Sequence, residues 1–266
     1  KYRIINLGEH PVNNLGRLMV VLVGGYVLGV YALPDLATRP ARANCDVRKY
    51  SMTDAKSCPD GTKSVSGKSD DDHNAVWCEK PDGLRHGHYI EFWPGGKKKL
   101  EGEYNNGQRQ GLWTGWYDTG QKQSICSYQD GKSHGHSVVY YSNGNKQEEG
   151  DYREDQQDGP WITWYENGQK KTAVHFIDNK PVGRTVSWYD TGQKKSEQEY
   201  NLQHKETGHW IYYFKSGKIQ GKGDYRNGEM DGTWREWDED GKILREKTYR
   251  YGDVVSANST QSAGDC

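Results

Sequence analysis

Gly159-Pro160-Trp161-Ile162-Thr163-Trp164-Tyr165-Glu166-Asn167-Gly168-Gln169-Lys170-Lys171 is the stretch that decides the fold of this 266-residue chain. It reads as G-x-W-x-x-W-Y-x-x-G-x-K, followed by a short run ending in Phe176. The opening glycine recurs as Gly87, Gly111, Gly135, Gly159, Gly183, Gly208 and Gly232, at steps of 24 residues with a single step of 25. A second glycine follows in register at Gly96, Gly120, Gly144, Gly168, Gly192, Gly217 and Gly241. Each unit closes on an aromatic: Tyr104, Tyr128, Tyr152, Phe176, Tyr200, Tyr225 and Tyr249. Three series sharing one fixed period mark a stacked repeat array.

Within a unit, Trp161 to Tyr165 suits a pleated surface. Glu166-Asn167-Gly168 is a tight-turn signal, because glycine tolerates positive φ. Thr172 to Phe176 reads as a second strand, and Asp178-Asn179, Asn106-Gly107 and Asn227-Gly228 turn the chain into the next unit. One unit is therefore a β-hairpin. A lone hairpin is marginal in water, so stacking must bury the aromatic rows between neighbours. The predicted fold is mainly β: an elongated array of about seven 24-residue hairpins over residues 87–251. Trp161 and Trp164 lie three apart on a strand and should point to opposite faces. The same holds for Trp113 with Trp116 and Trp234 with Trp237, and Trp188 and Trp210 complete the predicted core.

The pattern Gly159, Trp161, Trp164, Tyr165, Asn167, Gly168, Lys170 and Phe176, with its equivalents elsewhere, resembles the MORN repeat family. It looks most similar to the variant form found in proteins described as antitoxin components of toxin–antitoxin pairs. The resemblance implies membrane attachment, scaffolding and partner binding rather than catalysis. A fold by itself does not assign a function.

Composition agrees with a thin aromatic core. Apolar residues make up 32% and aromatics 12%, with 10 Trp and 19 Tyr against 3 Phe, too few aliphatics for a thick core. Large rings bury much area each, so few per unit suffice. The net charge of −1 does not suggest a nucleic-acid binder.

Residues 18–33, after an N-terminal flank at 1–17, form the one aliphatic-rich stretch and carry no charge. The 16 residues fall just short of a membrane span, with Leu15 and Gly16 able to extend it and Arg17 to snorkel. The reading favoured over a buried helix or a cleaved signal peptide is a single transmembrane helix. Gly25 and Gly29 sit at the spacing that lets a second membrane helix approach closely. Basic residues flank both sides, so the positive-inside rule does not set orientation.

Residues 34–57 read as a linker and 58–86 as a cap for the exposed end of the array. Cys58 and Cys78 bracket that cap, and a disulfide between them places it in an oxidising compartment. Such a compartment is a bacterial periplasm or, alternatively, the mitochondrial intermembrane space. Ser64 to Asn74 reads as a solvated loop, and 252–266 as a polar tail. Cys126 takes the place of Gly102 and Gly150 in other units, as a small strand residue.

Chemistry is sparse. Glu236-x-Asp238-x-Asp240-Gly241 resembles the start of a calcium loop, but its twelfth position is Lys247, which cannot ligate the ion. Gly67-Lys68-Ser69 lacks the upstream glycine of a phosphate loop. His86-Gly87-His88 and His134-Gly135-His136 recur two units apart, roughly 19 Å at the strand spacing, too far to share a metal. They read as polar turn residues. Lys98, Lys122, Lys146, Lys170 and Lys194 form a basic row at about 10 Å spacing. That row is a candidate contact for acidic lipid or a partner, or a guard against edge pairing. The reading is a non-catalytic scaffold subunit without cofactor or metal. It is anchored beside integral membrane proteins, contacts lipid, and offers its array to a protein partner. The alternative is an antitoxin-like or envelope-sensing module that masks a target.

Overall fold

The computed structural model describes residues 57–258, together with the backbone of two strands, Leu18–Val23 and Tyr26–Ala32. The chain divides into two units, Lys1–Asp54 and Ala55–Cys266. In the first, the two strands pair antiparallel. The anticipated transmembrane helix is therefore not what this backbone shows, and no described helix is long and apolar enough to cross a membrane. Gly25, Cys45, Cys266 and the linker to residue 56 lie outside the described residues, and Gly29 lies within the second strand.

The second unit is one antiparallel sheet that grows in chain order from Lys63–Lys68 to Asp253–Asn258. Short strands Gln156–Gln157 and Glu229–Met230 make local three-way pairings, but none of the described pairings joins the first strand to the last. The sheet is open. Each repeat supplies two strands, for example Gly159–Trp164 and Lys170–Ile177, as the hairpin reading requires.

Two kinds of turn alternate along its sides. Inside a unit, Tyr165 N–H donates to the Gln169 carbonyl at 2.8 Å and Gly168 N–H to the Tyr165 carbonyl at 2.9 Å. Between units, both central residues have positive φ, as in Asn106-Gly107, Asp178-Asn179 and Asn227-Gly228, which matches the twist of a hairpin. The fifth unit is the exception. Its closing turn, Asn201 to Lys205, takes the intra-unit form with His204 in the glycine's place, and this supplies the extra residue of the 25-residue step. All seven opening glycines have φ between 65 and 106°, the region in which a side chain is strained.

The sheet extends past the array at both ends. Lys63–Lys68 and Asn74–Glu79 form a hairpin that pairs with the first unit, so the expected loop at Ser64 to Asn74 narrows to a turn at Ser69 to His73. Asp253–Asn258 is a strand, not tail, because Tyr251-Gly252 turns the chain back as the other inter-unit turns do. The Cys58–Cys78 disulfide is present.

One face of the sheet carries the buried core. Tyr89, Trp113, Trp161 and Trp210 are between 2 and 7% exposed, whereas Trp116, Trp164, Trp188, Trp234 and Trp237 are half-buried. Tyr89, Tyr104, Trp113 and Tyr128 pack ring to ring with centroids 4.9–6.2 Å apart. Tyr200, Trp210, Tyr225 and Trp234 do the same at 4.7–5.9 Å. The row is not continuous, because the third and fifth units place Ser137 and Thr185 where the others have a ring.

A size rule links neighbouring units. Trp113 lies over Gly102 of the unit before, Trp161 over Gly150, and Trp234 over Gly223. A Cβ at those glycines would come within 2.3, 1.9 and 2.1 Å of the ring. Where the ring is replaced by Ser137, the glycine is replaced by Cys126, whose Sγ lies 3.2 Å from the Ser137 hydroxyl. Where it is replaced by Thr185, the glycine position holds Val174. Gln198 with Trp210 is the one large pair, at the junction with the extra residue.

Candidate functional site

Strand alternation puts the residue after each opening glycine on the face opposite the core row. On that face the chemistry repeats every second unit over the first five units. His88, Lys98 and Glu101 in the first unit correspond to His136, Lys146 and Glu149 in the third, and to Arg184, Lys194 and Glu197 in the fifth. The intervening units place Leu112 with Ile125 and Pro160 with Ala173 at the equivalent base and acid positions.

Each cluster is assembled by the pairing register. His88 Nε2 lies 3.3 Å and Lys98 Nζ 2.8 Å from Glu101. His136 meets Glu149 at 3.1 Å and Asp151 at 2.8 Å, and Lys146 meets Glu149 at 2.7 Å. Glu197 takes Arg184 and Lys194, the latter at 2.8 Å. A ring from the next unit lies against each cluster: Lys98 is 5.8 Å from the Trp116 ring, Lys146 is 5.6 Å from Trp164, and the Tyr213 hydroxyl donates to Glu197 at 2.8 Å. The surface therefore alternates polar and apolar stripes, each polar stripe roughly 19 Å from the next.

Electrostatics follow this geometry. The hydrogen bond to Asp151 raises the His136 pKa against the opposing effect of burial. Burial pushes Glu149 up, but Lys146 and His136 outweigh it and hold the carboxyl below its usual range. His88, 3.3 Å away, and Lys98 do the same for Glu101. His88 and His136 thus sit in strands on this face, not in turns, because their opening glycine lies inside the strand.

The basic row is not uniform. Lys98, Lys146 and Lys194 turn back onto their own glutamates, while Lys122 and Lys170 are exposed and make no ion pair among the described residues. The stacking is reinforced from the turns. Trp93 Nε1 and the hydroxyls of Tyr117, Tyr141, Tyr165 and Tyr189 each donate to a main-chain carbonyl of the next unit, on Trp116, Tyr140, Trp164, Trp188 and Tyr213. The distances are 2.7–2.9 Å. The sequence reading missed both this ladder and the glutamates, although Glu101, Glu149 and Glu197 are spaced 48 residues apart.

At the capped end, Glu91 is buried and accepts from Ser69 at 3.0 Å, Tyr89 at 3.1 Å and Lys99 at 2.8 Å. Burial and the neighbouring carboxylate push the Tyr89 phenol up. These bonds tie the Ser69 to His73 turn to the first unit. Burial likewise raises the Cys126 thiol, which keeps it protonated and poorly nucleophilic. Among the described residues no three His, Cys, Asp or Glu side chains group as metal ligands.

No curated protein is similar to this chain at a significant level. The family model described as MORN repeat variant matches residues 85–106, 109–130, 133–154, 157–178, 206–227 and 230–251. The fifth unit, with Thr185 and the altered turn at His204, is outside those matches but pairs with its neighbours as the others do. Six of the seven units of the array are thus MORN-variant repeats.

Proposed function

We propose that the protein is a membrane-attached scaffold subunit whose repeat array binds another protein through the striped face. The observation that carries this is the two-unit recurrence of the base, lysine, glutamate and aromatic clusters at His88, His136 and Arg184. Packing the array needs only the core face and the turn ladder. Ion pairs this regular on the other face give register and charge selectivity to a partner.

The apolar, uncharged stretch 18–33 holds the array at the membrane, where the small residues Gly25 and Gly29 leave the backbone open to close approach by an integral membrane protein, with lipid around them. The disulfide supports an array on the oxidising side, in a bacterial periplasm or the mitochondrial intermembrane space. Mass spectrometry of what copurifies after mild detergent extraction tests the reading. The expected partners are integral membrane proteins, and replacing both Gly25 and Gly29 with Leu should weaken their recovery while leaving the array folded. Release of the whole chain from membranes by alkaline washing without detergent would end the membrane reading.

A further inference from the structure

The sixth and seventh units break the repeat pattern in several places at once, and two of the breaks, Gly221 and Phe214, line one cavity of about 510 Å³. Tyr212, Phe214 and Trp234 supply its aromatic wall, Trp237, Asp238 and Glu239 bound it at the turn, and Glu236 brings a carboxylate into it. Gly221 opens it. The equivalent positions carry Leu100, Ser124, Glu148, Thr172 and Ser196, so only here does the second strand leave that space empty beside a Trp.

Phe214 is the second break. Its counterparts Trp93, Tyr117, Tyr141, Tyr165 and Tyr189 each cap a carbonyl of the next unit. Phe214 has no proton to give, so the Trp237 carbonyl lacks that donor. The third break is in charge. The row of lysines from Lys98 to Lys194 ends, and Ile219 and Ile243 take the next two places.

We infer that this cavity binds an organic cation, an ammonium or guanidinium group of the lysine or arginine type. Aromatic faces attract such a cation through their quadrupole. Glu236 and the Trp237 carbonyl accept its N–H groups. A cation of the chain already tests this chemistry from the rim, because Arg245 reaches Glu236 at 3.6 Å. The free aromatic surface is that of Tyr212, Phe214 and Trp234, and Arg245 is the internal competitor for the carboxylate.

The inference deepens the binding reading above by naming the chemistry one end of the array accepts. It stands independently of the membrane partner, since its test needs only the purified chain and a small cation. Methylguanidinium, methylammonium and an uncharged-ended peptide with a single lysine are titrated into the full-length protein in detergent at constant ionic strength. Two-dimensional NMR of the tryptophan indole N–H signals reports binding, with Trp234 assigned by substitution.

The expected result is saturable movement of the Trp234 signal in the millimolar range. Tighter binding of the peptide than of the free cations identifies a chain-borne cation, and the reverse identifies a free amine. Gly221→Leu fills the cavity and should abolish the effect. Its backbone does not require glycine, and a Cβ there would meet the Arg235 carbonyl oxygen at 3.6 Å, an ordinary contact. Gly221→Ser, the residue of the second and fifth units, serves if Gly221→Leu does not fold. Glu236→Gln should weaken binding about tenfold, and Arg245→Gln, which frees the carboxylate, should strengthen it severalfold. Failure of all three probes, or binding unchanged in the filled variant or in Glu236→Gln, overturns the inference.

Discussion

Exchanging one glycine–tryptophan pair for the chain's own small pair is the sharpest test of how the units fit together. Trp161 is 4% exposed and lies on Gly150, where a Cβ would sit 1.9 Å from the ring. Trp161→Thr removes the ring and should cost about 3–5 kcal/mol, the range for losing a buried tryptophan. Gly150→Val cannot coexist with the ring, so it should expel Trp161 and cost a similar about 3–5 kcal/mol. Its backbone accepts a side chain, and valine favours a strand by up to about 1 kcal/mol. Both single changes lose the same thing. The double variant recreates the Val174 and Thr185 combination and should cost little more than either alone. The coupling should then be about 3 kcal/mol, at the top of the range for residues in contact. Hydrogen exchange over Lys146–Arg153 and Gly159–Trp164 is the right assay, because a repeat array need not unfold in one step. Losses that add to within about 0.5 kcal/mol would show that ring and glycine are independent and refute the size rule.

Thr185 offers a gain. Its hydroxyl is buried without a hydrogen-bond partner, so Thr185→Val should raise the denaturation midpoint, by about 1 kcal/mol in stability. Tyr141→Phe deletes the 2.9 Å bond to the Trp164 carbonyl and should cost about 0.5–1.5 kcal/mol, with faster exchange at the turn it bridges. An unchanged protein would mean the turn ladder contributes nothing. The raised His136 pKa gives a pH test. A folded pKa above the unfolded value of about 6.5 means the contribution is full below that pH and fades as pH rises through the folded pKa. Urea midpoints of wild type and His136→Gln should therefore differ most in mild acid and converge above neutrality, whereas a constant gap would assign His136 a purely steric role.

The hairpin repeat was legible because it depends on local chemistry. Positive φ at Gly159 and Gly168, β-propensity around Trp161 and a tight turn at Asp178-Asn179 are each readable within a few residues. The ends were misread for the same reason. Lys63–Lys68 is mostly polar, Asp253–Asn258 offers only Val254 and Val255, and neither carries an aromatic of the repeat, so the template does not mark them as strands. They become strands because the neighbouring hairpin offers an unpaired edge, and an open row of N–H and C=O groups recruits whatever chain can follow it. The histidines beside the opening glycines were assigned to turns because a glycine usually means a turn. Here the glycine sits within a strand, and His136 faces Asp151 across the pair.

The striped face was not legible from a 24-residue template, although every residue of it was in view. Averaging the units into one pattern merges Glu101, Glu149 and Glu197 with Ile125 and Ala173 and erases their alternation. Faces must be assigned before the 48-residue period appears, and that needs the register shifts. One falls between Thr163 and Trp164, another between Ala173 and His175, with equivalents in most units. A shift moves later side chains relative to the partner strand, so counting alternation from the glycine alone fails beyond it. The same logic locates function. Positions that recur in most units, such as the buried ring and the turn aromatic, are fixed by stacking. Positions that vary with their own period, or break it as Gly221 and Phe214 do, are free of that demand and available for a partner.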